Sequence, residues 1–139
     1  MAQKVKLTAY VSHGIQGRLG SRATDATMQA NCDRVRKFIK KVRAEFGWAI
    51  DFYLPADHEE FVHRAFSMGL LSIDEILVID CDIVKVKDII ILYIPDSFIS
   101  NGCIKEMHRA GCFGKPNIQV TDKNWKTEIA NYLSSVGRL

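Results

Sequence analysis

Asp88-Ile-Ile-Ile-Leu-Tyr-Ile-Pro-Asp-Ser-Phe-Ile-Ser-Asn-Gly-Cys-Ile-Lys-Glu-Met-His-Arg-Ala-Gly-Cys-Phe-Gly-Lys-Pro, residues 88–116, reads as a strand, a polar turn and a helix. Ile89 to Ile91, with Leu92 and Ile94, make the continuous β-branched apolar run of a strand buried on both faces of a parallel sheet. Ser100, Asn101 and Gly102 then supply a helix N-terminus, where free backbone N–H groups and the positive dipole end favour a phosphate or a polarised hydroxyl. Glu106 falls about one turn into that helix, near the crevice at the C-terminal edge of the strand where open α/β sheets bind ligands.

Working outward, Val5 to Ser12 alternates like a strand and runs into His13-Gly14-Ile15-Gln16-Gly17-Arg18-Leu19-Gly20, a loop whose glycines let the backbone approach a ligand closely. From Asp25 the period becomes helical. Val35, Phe38, Ile39, Val42 and Phe46 recur at helix spacing, basic residues fill the other faces, and Gly47 ends the run. Trp48 to Leu54 reads as a second strand stopped by Pro55, and His58 to Met68 as a helix ended by Gly69. Ser72, with Glu75 at the capping-box position, opens a further helix to about Val86. Asp88 to Ile94 is the third strand, Asn101 to Cys112 a helix, Pro116 to Val120 the fourth strand and Asp122 or Lys123 to Val136 the last helix. Alternating strands and helices predict a parallel sheet with helices on both faces, in one domain spanning 1–139.

The chain's 139 residues, 47% of them hydrophobic, suffice for a real core. A net charge of +3 is too small to argue for a nucleic-acid polymer as partner. Cys32, Cys81, Cys103 and Cys112 show neither CxxC nor zinc-finger spacing, and three of them have the apolar neighbours of reduced, buried thiols. The first residues lack a signal-peptide core, and no apolar run approaches the ~20 residues that cross a bilayer. The expectation is a cytoplasmic protein with no membrane role, no metal and no cofactor. Neither GxGxxG nor GxxxxGK[ST] occurs, which disfavours nucleoside triphosphate hydrolysis.

Individual residues admit two readings each. Glu106 sits among Ile104, Met107 and Ala110, so it is either a surface glutamate or a working boundary carboxylate, since an unpaired carboxylate there is costly. Asp80 and Asp82, placed near the end of their helix, would oppose its dipole, which is odd for a purely structural choice. His58 and His63 are five apart rather than four and point away from each other, so their fragment reads as helix surface rather than a zinc motif. His13 and His108 could approach a ligand or serve in packing. The basic residues from Arg34 to Arg43 read as a solvated helix face.

Three features in order resemble the nucleoside 2-deoxyribosyltransferase superfamily, and its nucleoside 5′-monophosphate N-glycosidase branch in particular. Tyr10-Val11-Ser12-His13-Gly14 is similar to that family's first strand and loop. Asp80 precedes Asp88 as the family's helix aspartate precedes a strand-starting aspartate. Ser100-Asn101-Gly102-Cys103-Ile104-Lys105-Glu106, with Ala110 and Gly114-Lys115-Pro116, is similar to its signature helix and next strand. The similarity spans about Val5 to Val120.

The resemblance implies a Rossmannoid, flavodoxin-like domain that hydrolyses or transfers at an N-glycosidic bond, with Glu106 as nucleophile and Asp80 as acid toward the leaving base. It further implies a nucleotide or nucleoside ligand contacted by Tyr10, Ser12, His13, Gly14, Gly17, Arg18, Ser100, Asn101 and Gly102, and a homo-oligomer. Ser100 stands where the monophosphate branch keeps a serine, which favours a phosphorylated ligand. The alternative is a module that binds a nucleotide derivative without chemistry. Gly14 and Gln16 in the first loop, and the long insertion from Leu54 to Ser72, depart from the family's pattern.

Overall fold

The structure is a computed structural model that describes residues 5–15, 17–95 and 97–139; Gln16 and its place in the first loop lie outside them. Four strands, β1 (Leu7–Ser12), β2 (Ile50–Tyr53), β3 (Ile89–Tyr93) and β4 (Asn117–Val120), form an all-parallel sheet in the order β2-β1-β3-β4. Five helices accompany it: α1 (Asp25–Phe46), α2 (Glu59–Ser67), α3 (Ile73–Val86), α4 (Asn101–Cys112) and α5 (Trp125–Ser135). The fold is α/β and Rossmann-like, as the alternating pattern predicts. Two short 3-10 turns, Gly17–Arg22 and Pro55–His58, fall in segments read from the sequence as loop or strand end.

The apolar run after Asp88 explains the layout. Every residue of β3 is buried, and the strand pairs with β1 on one side and β4 on the other. Because β1 pairs with β2 as well, the chain reverses its direction of growth between β1 and β3. In open sheets that switch point leaves a crevice beyond the strand C-termini.

The two faces of the sheet are unequal. On one, α1 lays Val35, Phe38, Ile39, Val42 and Phe46 against Ala9, Val11, Ile91 and Tyr93, and α5 adds Ile129 and Leu133. Phe38 stacks on Tyr93 with ring centres 4.0 Å apart. The other face has a smaller apolar cluster of Tyr10, Val84, Ile90 and Ala110 under α3 and α4. Polar side chains of β1 therefore meet helix residues there without crossing the main core.

Local chemistry fixes several boundaries. Ser72 and Glu75 form the reciprocal capping box, with bonds of 3.1 and 2.9 Å. Gly47 follows α1 with φ of −60°, so it is needed for space rather than for a left-handed turn: a Cβ there would stand 2.5 Å from the Arg43 carbonyl oxygen. Asp88 accepts bonds from the Thr8 N–H at 2.7 Å and the Thr8 hydroxyl at 3.1 Å, clamping the starts of β3 and β1 at the edge opposite the crevice.

Candidate functional site

Tyr10 and Ser12 alternate with Ala9 and Val11 along β1, so they face α4 instead of the main core. Helix α4 starts where Ser100 turns back as its cap, the Ser100 hydroxyl accepting from the Cys103 N–H at 3.2 Å. Cys103, Glu106 and Ala110 form the buried stripe of that helix. Glu106 is 5% exposed, so it is no surface glutamate. The Tyr10 hydroxyl donates to its Oε2, and the Ser12 hydroxyl donates to Oε1 at 2.7 Å.

Burial pushes the Glu106 carboxyl up to about 7; the two hydroxyl bonds pull it down and the charge of Asp80 pushes it up further. Hydrogen bonds to a charged group contribute about 1.5–3 kcal/mol each, and the effective cost of burying an ion is several kcal/mol. Two donors thus offset much of the penalty without cancelling it, which leaves a carboxylate that ionises close to neutrality. Burial first, then the Glu106 charge, raises the Tyr10 phenol far above its ordinary value, so Tyr10 remains a donor.

Asp80 joins this group from α3. It lies mid-helix rather than near the helix end expected from the sequence, so the dipole argument does not apply to it. Its carboxyl is pushed up to about 6 by burial, partly countered by the Tyr10 hydroxyl. Tyr53 on β2 stacks against Tyr10 at 5.7 Å, and its phenol is raised by burial and then by the Asp80 charge. Two carboxyls of elevated pKa flank one phenol that cannot ionise. Such a pair shares one proton between about pH 6 and 7, held more by Glu106 than by Asp80, and the form with Glu106 ionised and Asp80 protonated is the minor partner in that equilibrium.

The remaining candidates lie in the first loop and at the N-terminus of α4. A Cβ on Gly14 would stand 3.4 Å from the Ser100 Cβ and 3.6 Å from its Oγ, so the first loop and the α4 N-terminus come together there. Gly17 has φ of +62°, and a Cβ on it would stand 3.0 Å from the Asn31 amide nitrogen, which itself donates to the Ile15 carbonyl at 2.7 Å. Arg18 holds its guanidinium carbon 5.4 Å from the centre of the Phe98 ring. Asn101 is exposed on the first turn of α4. Gly102 is half-buried, and a Cβ there would make only ordinary contacts, so close packing does not require it.

His13 makes no hydrogen bond to Glu106. It is 9% exposed, neither ring nitrogen has a hydrogen-bond partner among the described residues, and its pKa is lowered to about 4 by burial and then by Arg36 of α1. Asp82 is exposed and lines, with His108, a groove of about 750 Å³ between α3 and α4. All four cysteines are free; Cys32 and Cys103 are buried, Cys81 is half-buried and Cys112 exposed. Among the described residues no helix is long and apolar enough to cross a membrane.

Sequence reasoning placed Tyr10 and Ser12 as substrate contacts and did not foresee that both donate their hydroxyls to Glu106. It did not single out Tyr53 or Phe98. The alternation of β1 could have aimed Tyr10 and Tyr53 at one face; the pairing that puts them side by side is a tertiary fact.

The fold and site together define an α/β domain with a buried carboxyl pair at the topological switch point. Comparison of the chain with protein-family models, curated proteins and solved structures finds no match.

Proposed function

We propose that this protein cleaves or transfers at the N-glycosidic bond of a nucleoside 5′-monophosphate or nucleoside, with Glu106 as nucleophile. The observation that carries the reading is the buried Glu106 carboxylate, held by the Tyr10 and Ser12 hydroxyls and coupled to Asp80. A carboxylate fixed by two donors and poised near neutral pKa suits attack on an oxocarbenium-like carbon. In the first step a Glu106 oxygen bonds to the anomeric carbon as the carbon–nitrogen bond breaks, and the departing base takes a proton from Asp80. Water then attacks the glycosyl ester, gives a proton back to Asp80, and frees the sugar and Glu106; an acceptor base in place of water makes the reaction a transfer. Gly14, Gly17 and Arg18 with Ser100, Asn101 and Gly102 surround the place for a 5′-phosphate.

The second reading, binding without chemistry, is favoured by one observation: with 5% exposure and both oxygens engaged, Glu106 is closed off in this conformation. Incubation with a panel of nucleoside 5′-monophosphates and nucleosides, with chromatography for free base, separates the two. Release of base supports the enzyme; tight binding with no release supports the module.

The assembly we propose is a homodimer through α3 and α4. Val78 and Ile79 on α3 and Ile104 on α4 are 69%, 48% and 47% exposed. The groove between these helices carries Asp74, Asp82 and Lys85 on α3 against Lys105 and Arg109 on α4, so charges of both signs can pair across a two-fold axis.

A further inference from the structure

Phe98 stands two residues before the Ser100 cap and keeps 38% of its surface exposed. Its ring lies under Arg18, with 5.4 Å between the guanidinium carbon and the ring centre. The segments that carry these two residues meet again at Gly14 and Ser100, where a Cβ on Gly14 would come within 3.4 Å of Ser100. Ser97, immediately before Phe98, has φ of +57°, a conformation that a residue with a side chain adopts at some cost. An exposed aromatic, preceded by a residue in an unfavourable conformation, thus lies beneath this arginine.

An aliphatic side chain would pin two loops as well as a ring does. What a ring adds is specific to guanidinium: the planar cation can rest its face on the aromatic surface while its in-plane N–H donors remain directed at an oxyanion. The pairing also limits the rotamers of a long side chain before any ligand arrives, which lowers the ordering cost of binding. We infer that Phe98 is a positioning residue that presets Arg18 for the phosphate of a nucleoside 5′-monophosphate and so sets the preference for the phosphorylated ligand over the nucleoside. This rests on the N-glycosidase reading for the identity of the ligand.

Calorimetry in the Glu106→Ala background, where turnover does not intrude, tests it with the four 2′-deoxynucleoside 5′-monophosphates and their nucleosides. Phe98→Leu is expected to weaken the best-bound monophosphate by roughly three- to fivefold, the worth of an exposed cation–π contact, and to leave the nucleoside unchanged. Phe98→Tyr, which keeps the ring, is expected to restore the affinity. Adding Phe98→Leu to Arg18→Ala is expected to cost nothing beyond Arg18→Ala alone. Equal weakening of both ligands by Phe98→Leu, or full additivity with Arg18→Ala, would overturn the inference while leaving the N-glycosidase reading in place. Failure of the Phe98-intact protein to bind any of the four monophosphates would overturn both.

Discussion

Glu106 costs the fold stability for as long as it is charged. Its folded pKa of about 7 lies above the ordinary carboxylate value, so its contribution is fully present at low pH and is lost as pH rises through about 7. A shift of that size corresponds to on the order of 3 kcal/mol. Glu106→Gln should therefore be more stable than wild type at pH 8 and equal to it near pH 4, as denaturant titrations at the two pH values would report; equal stability at both would mean that the carboxylate is not strained by burial. Asp80 carries the complementary demand. If it protonates the leaving base, Asp80→Asn should slow poor leaving bases at least tenfold more than activated ones and remove one limb of a bell-shaped kcat/KM profile centred between about pH 6 and 7. Equal losses for all bases would make Asp80 a positioning group. His13 works in the opposite sense. Its lowered pKa means stability lost as pH falls from the ordinary histidine range toward about 4, so His13→Phe should resist acid unfolding better than wild type, measured as the midpoint pH of unfolding.

At the scale of elements, the capping box at Ser72 is separate from the chemistry. Ser72→Ala should lower stability by about 1 kcal/mol in denaturant titration and leave any base release unchanged. That box, the Asp25 start of α1 and the β3 run were all legible in the sequence because each depends on neighbours within a few residues. The placement of the site was less legible. Alternation along β1 was visible, but which face of the sheet holds α4 is decided by topology, so the bonds from Tyr10 and Ser12 to Glu106 were not legible. The surroundings of His13 were not legible either, since a loop residue carries no period that would aim it at Arg36. The Gly17–Arg22 turn hid because Gly20, with φ of 55° and ψ of −128°, interrupts any helical pattern. Asp80 was recognised, but its helix runs on to Val86, so an argument from the helix end could not explain it.

For the whole molecule, the unequal faces of the sheet separate two tasks. The α1 and α5 side supplies the main core, while the α3 and α4 side carries the carboxyl pair and the exposed apolar residues Val78, Ile79 and Ile104. Light scattering at micromolar concentration should give twice the mass of the chain, and Ile79→Asp with Val78→Asp should give the monomer; a wild-type monomer would remove the proposed interface. The central claim concerns Glu106 and is met most directly by comparing wild type with Glu106→Ala on the best substrate of the nucleotide panel, following free base by chromatography. Wild type is expected to release base, and Glu106→Ala, folded by circular dichroism, at least a thousandfold less; release by the variant at a rate comparable to wild type would contradict the assignment of Glu106 as nucleophile.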